Sequence, residues 1–270
     1  MSSKAASVVF VADDLGVSPG ANAGIARAAT TVRETSLCVT GAAVEEGAAQ
    51  ATAHGQAVGL HLSFTLGRAL TGPLRSLTDA DGRFLPLPAV LRACLLRRPD
   101  RDQVALEVDA QLTRLFALVP QPSHLNGHHH VHVFPVIRDV VFAAAAARGI
   151  GWTRMPRELP HAGSRLAPAR LLLARFAASA APRARAVGLR WLPFVGLTTE
   201  NRRDFAARAE RLAARLPAGP CEWMVHPRVP DREFTAIDPR AAGRDESATA
   251  ELRALERGVA GLVGRRFAEL

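Results

Sequence analysis

The stretch Ser7-Val8-Val9-Phe10-Val11-Ala12-Asp13-Asp14 decides the fold. Its apolar run is too short to cross a membrane, and two carboxylates end it before any cleavage motif of a signal peptide arises, so it reads as a buried strand. Ser18 and Pro19 then supply an N-cap and a first helical residue, starting a helix that runs to about Arg33. A strand feeding a helix through an acidic turn is the opening of a βα unit.

Outward from there, short β-branched runs keep alternating with Ala-, Leu- and Arg-rich segments of helical period. Further strands are expected at 35–39, 57–64, 123–128, 151–155, 190–195 and 221–225. Helices are expected at 42–54, 102–118, 136–148, 169–180, 202–216 and 246–267. About seven strands with intervening helices give an α/β chain, most simply a (β/α) barrel, distorted or seven-stranded, with a doubly wound sheet as the competitor. In either, catalytic residues belong at the C-terminal ends of strands.

The chain has 270 residues, 48% of them hydrophobic and 22% charged, which suits one domain over 1–270 and excludes disordered, collagen-like and disulfide-stapled classes. Within it, a Gly-, Pro-, Asp- and Thr-rich loop near 65–88 is expected to border the active site, and residues 156–188 to form a helical insertion. The formal charge of +9 invites a nucleic-acid reading. Lys4 is the lone lysine among 34 basic residues, however, and the arginines are spread along the chain rather than gathered in a stripe, so no nucleic acid is expected. Cys38, Cys94 and Cys221 lie far apart without a C-x-x-C pair, which fits a reducing cytoplasm. No membrane span is expected either.

Four places carry candidate chemistry. Asp13-Asp14 ends the first strand, and neighbouring side chains on an extended strand point to opposite sides. His61 sits in the apolar strand Val58-Gly59-Leu60-His61-Leu62, where a hydrogen-bonded core histidine is the plainer alternative. In His124-Leu125-Asn126-Gly127-His128-His129-His130-Val131-His132, an extended chain would put His128, His130 and His132 on one face and His129 on the other. Glu222-Trp223-Met224-Val225-His226-Pro227 is a further strand ending in a histidine. Carboxylate and imidazole delivered by separate strand ends suit a catalytic metal site with an open position, and with it metal-assisted hydrolysis. With no tyrosine in the chain, Trp152, Trp191 and Trp223 are the candidate stacking surfaces for a sugar ring.

These motifs, together with Leu15-Gly16-Val17-Ser18-Pro19-Gly20, Asn22 and Val133-Phe134-Pro135, resemble in order those of the YdjC-like carbohydrate deacetylases, a family that includes chitooligosaccharide deacetylases and a hopanoid-biosynthesis-associated branch. The resemblance implies a (β/α) barrel and one divalent metal ion, Mg or Zn, held by Asp14, His61 and His128, with Asp13 as general base. His226 is the expected general acid, with His130 or His132 as alternatives. Those two and Arg154 are candidate sugar contacts, and Arg154 is also a candidate for orienting the acid. The implied partner is an N-acetylated sugar or a glycolipid-linked sugar, and a homodimer is left open. Asn126, Leu15 and Arg228 depart from the usual Asp, aromatic and Gly, which leaves the identity of the sugar open. A phosphoesterase or other amidohydrolase on the same barrel, or a sugar-binding relative without turnover, are the competing readings.

Overall fold

Strands β1 (Ser7–Leu15), β2 (Glu34–Leu37), β3 (Ala57–Leu62), β4 (Leu125–Gly127), β5 (Phe194–Val195) and β6 (Pro220–Val225) form a six-stranded sheet in the order β4-β3-β2-β1-β6-β5. Every pairing in it is parallel. The computed structural model that gives this arrangement describes residues 7–158, 167–262 and 264–270. The connections hold helices α1 (Pro19–Arg27), α2 (Val44–Ala53), α3 (Leu87–Leu95), α4 (Arg101–Leu118), α5 (Ile137–Ala147), α6 (Pro168–Ala186), α7 (Phe205–Ala213), α8 (Arg232–Ile237) and α9 (Asp245–Glu256).

β1 takes the centre because its sequence can be buried on both faces. Val8, Phe10 and Ala12 join the main core, while Val9 and Val11 meet Trp152, Leu192 and Phe267 in a separate cluster on the other face. α1 begins as its sequence requires, with the Ser18 hydroxyl accepting from the Ala21 N–H at 3.2 Å.

The sheet is a curled half-barrel rather than a regular seven-stranded one. The strand expected at 151–155 contributes isolated bridges only, Leu125 to Thr153 and Trp152 to Arg190, and the strand expected at 190–195 shortens to β5. Proline explains the second, since Pro193 offers no N–H to a ladder. The strand expected at 123–128 also shortens, to β4, and the histidine run after it coils into a 3₁₀ turn, His128–Val133. α3 and α8 occur where no element was expected, and α6 continues past 180 through Pro182. The rest of the expected insertion, 159–166, lies outside the described residues. The final helix stops at Glu256 instead of reaching 267, because Gly258 and Gly261 adopt left-handed backbone. The chain then returns beneath the sheet, where Phe267 stacks on Trp152 with ring centroids 5.2 Å apart.

Candidate active site

β1 is not regular to its end. Its pairing with β2 runs from Ala12 opposite Thr35 to Leu15 opposite Leu37, so three steps on one strand match two on the other. The extra residue is a bulge, with Asp14 at φ 70. A bulge re-aims side chains, and Asp13 and Asp14 both line one cavity instead of pointing to opposite sides. Asn22 of α1 secures the turn that follows: its amide oxygen accepts from the Gly16 N–H at 2.7 Å, and its amide nitrogen donates to the Ala43 carbonyl at 2.9 Å.

Asp14 Oδ1 lies 3.2 Å from His61 Nε2 and 3.0 Å from His128 Nδ1. All three residues are buried, and one ligand atom from each lies within 4.8 Å of the others. Burial alone would raise the proton affinity of Asp14, but His128 and His61 outweigh it and hold the carboxyl well below its usual range. His61 Nδ1 faces the Asn126 amide oxygen at 2.6 Å, which places the proton on Nδ1 and leaves a lone pair on Nε2. Among the described residues, Nε2 of His61 and Nε2 of His128 have no hydrogen-bond partner despite being buried. His61 Nε2 and His128 Nδ1, two imidazole nitrogens facing one carboxylate oxygen, are a donor set that fits a divalent ion.

Asp13 has a different environment. Its Oδ1 accepts from Ser36 Oγ at 2.9 Å, Asn126 Nδ2 at 2.9 Å and Arg154 Nη2 at 2.9 Å, and its Oδ2 accepts from Arg154 Nη1. Burial again opposes ionisation, but Arg154 beside it, helped by His61 and His226, drives the carboxyl far below the ordinary range. Arg154 is itself balanced by Glu222, which accepts from its Nε at 2.5 Å. Arg154 lies beneath Asp13, fully enclosed, and does not line the cavity.

The histidine run is not extended. His129 and His130 take left-handed backbone, φ 51 and 59, so the expected alternation of faces is lost. His128, His129 and His130 all line the cavity. His132 turns inward to the Arg154 carbonyl at 2.9 Å, and burial pushes its pKa down to about 3. His130 packs edge-on against Phe194, and burial, reinforced by Arg154, holds it well below the ordinary histidine value.

His226 leaves the end of β6 with Nε2 3.9 Å from Asp13 Oδ2, and its backbone N–H donates to Glu251 at 2.7 Å. Burial would lower its pKa, yet the carboxylates of Asp14, Asp13, Glu200 and Glu251 more than offset that and raise it. Burial pushes Glu251 up to about 7, with His226 only partly compensating. Glu251 and Ser36 carried no signal in the sequence. Glu222 sat within a quoted motif, where a carboxylate inside an apolar strand was the available clue.

The cavity has a volume of about 400 Å3. Besides the acids and histidines it is lined by Leu91 of α3, Phe176 of α6, and the arginines Arg228 and Arg244. None of Trp152, Trp191 and Trp223 reaches it, and its aromatic lining is Phe134, Phe176 and Phe234.

The sequence profile of the YdjC-like protein family matches residues 7–259. A carbohydrate deacetylase of Mus musculus is 37% identical over 247 residues, which is 83% of this chain and 78% of its own length. A chitooligosaccharide deacetylase of Enterobacter sp. (strain 638) is 37% identical over 149 residues, 53% of this chain and 57% of its own. Two solved structures share the fold at 18% identity: a protein of Enterococcus faecalis, with a TM-score of 0.72 over 98% of both chains, and the lactam utilization protein of Thermus thermophilus, with 0.55 over 97% of this chain and 100% of that one. Asp13, Asp14, His61, the histidine run and His226 all fall inside the matched span and meet at one end of one sheet, and the chain belongs to the YdjC-like protein family.

Proposed function

We propose that this chain is a metal-dependent carbohydrate N-deacetylase that hydrolyses the acetamide of an N-acetylated amino sugar or small glycan. The observation that carries the reading is the bulge in β1, which turns an ionised Asp13 toward His226 beside the Asp14, His61 and His128 set. The cavity is of a size that holds a sugar, and curated relatives bear the name carbohydrate deacetylase.

Asp14, His61 and His128 would hold a divalent ion (Mg or Zn), which would supply Lewis acidity to acidify a water and polarise the acetamide carbonyl. The chain's own groups do the rest. Asp13 accepts the proton of the attacking water at Oδ2, the oxygen that carries fewer hydrogen bonds and lies nearer His226. Clamped by Arg154, Asp13 is always ionised but a weak base, so it serves only a water already acidified. His226, with its raised proton affinity, donates to the departing nitrogen as the carbon–nitrogen bond breaks, giving acetate and a free amine. His130, held neutral, and His132, bonded to the Arg154 carbonyl, are less suited to that role. Arg154 orients Asp13 rather than touching the sugar.

Acetate release from N-acetylglucosamine oligomers with added zinc or magnesium tests the reading, with Asp13→Asn as control. Acetate that depends on metal and on Asp13 supports it. No acetate from any N-acetylated glycan, alongside phosphate-ester hydrolysis that Asp13→Asn abolishes, replaces it with the phosphoesterase alternative.

A further inference from the structure

We propose a second divalent-cation site, of zinc class, formed by His128, His129 and Asp238 and sharing His128 with the set around Asp14. The inference goes beyond deacetylation, and its binding arm is read without substrate.

One ligand atom from each of these residues lies within 4.8 Å of the other two. His128 is 5% exposed, and its Nε2 has no partner among the described residues, although its Nδ1 lies 3.0 Å from Asp14 Oδ1. The ring centroids of His129 and His128 lie 4.0 Å apart with the planes tilted by 50°, and His129 Nδ1 lies 3.0 Å from the Thr65 hydroxyl. With Nδ1–H donated to Thr65, His129 presents a lone pair at Nε2. Asp238 uses Oδ1 to accept the Arg240 N–H at 3.0 Å, and Oδ2 remains. Each residue is therefore held at one polar atom and open at another, the arrangement that orients metal ligands. Two imidazole nitrogens and a carboxylate oxygen suit a zinc-class ion.

The shared residue makes the two sites exclusive. A neutral imidazole has one lone pair. With it on Nδ1, His128 serves the ion between Asp14 and His61. With it on Nε2, Nδ1–H donates to Asp14 and His128 serves the second site. Arg240, whose backbone N–H donates to Asp238, lines the cavity with His129 and Asp238, and its positive charge disfavours a cation there, which makes the second site the weaker one. It fills at excess zinc, and in doing so it withdraws a ligand from the first.

Two measurements on the full chain test this. Zinc added to the apoprotein should raise acetate release and then, at several equivalents, lower it at least fivefold. Asp238→Asn should abolish the falling limb and leave the rate at one equivalent unchanged, and His129→Asn, in which asparagine tolerates the left-handed backbone at 129, should abolish the falling limb whatever its effect on the basal rate. In the absence of substrate, His61→Ala should still take up one zinc equivalent in competition with a chromophoric chelator. His61→Ala/His129→Asn and His61→Ala/Asp238→Asn should take up none. The proposal is overturned if excess zinc does not inhibit, if inhibition survives both single variants, if His61→Ala binds no zinc, or if the double variants retain it.

Discussion

Arg154 grips Asp13 with both terminal guanidinium nitrogens, one of them 2.9 Å from Oδ1, in a place from which water is excluded. A buried cation that loses its partner, or a partner that loses its cation, costs about 3–5 kcal/mol. Arg154→Met leaves Asp13 and Glu222 as two uncompensated buried carboxylates, and urea titration should show a loss of that size. Arg154→Lys keeps the charge but not the fork. It should fold, lower kcat/KM about 100-fold, and move the acid limb of the pH–rate profile upward as Asp13 recovers proton affinity. An unmoved acid limb would remove Asp13 as the group that must be ionised.

Asp13 and Asp14 are neighbours with separable roles. Asp13→Asn should lower kcat by roughly 10²–10⁴ while zinc affinity measured by chelator competition changes little. Asp14→Asn should weaken zinc binding itself. If both substitutions weaken it equally, Asp13 is a ligand and the assignment of base is wrong.

Metal should stabilise the fold, because Asp14, His61 and His128 are gathered as ligands only in the folded chain. At a hundredfold excess over Kd the gain is about 2.7 kcal/mol. Differential scanning calorimetry should show Tm rising with zinc in the unaltered chain and not in Asp14→Asn/Asp238→Asn, which lacks a carboxylate ligand of each proposed site. A Tm indifferent to zinc would count against the ligand set.

Glu251 makes stability fall with rising pH. Its carboxyl is pushed up to about 7, so between its ordinary value near 4.5 and about 7 the folded chain holds a proton that the unfolded chain has released. Unfolding free energy must then decrease across that window. His226 acts in the same direction: its raised pKa stabilises below the ordinary histidine value and that contribution is lost as pH climbs through the raised one. Glu251→Gln keeps an oxygen for the His226 N–H and should flatten the decline between pH 5 and 7 in urea titrations. An unchanged slope would place the titrating group elsewhere.

Much of this site is legible in the sequence because strand ends are easy to read. An apolar run that stops at a carboxylate or an imidazole fixes both the strand and the position of the polar group, and Asp13, Asp14 and His226 carry that mark, while His61 stands inside its strand as an imidazole among apolar neighbours. Conformation inside a polar run is harder. The alternation expected for the histidines from His128 to His132 assumes extended backbone, and left-handed backbone at His129 and His130 breaks it. The bulge at Asp14 is equally silent, since nothing local distinguishes an aspartate at φ 70 from one in a regular strand. Glu251 is out of reach for another reason. It lies on an ordinary amphipathic helix, and only the packing of α9 beneath His226 gives it a role. The strand that fails to form in full at 190–195 carries its own warning in Pro193.

One residue too many between Ala12 and Leu15 gives β1 a register error made permanent. Deleting that residue would let the strand pair without interruption against its neighbour, and the sheet would gain regular hydrogen bonds. The same deletion would take away one of the two adjacent carboxylates, so the slip trades regular pairing for an arrangement that brings both into the cavity.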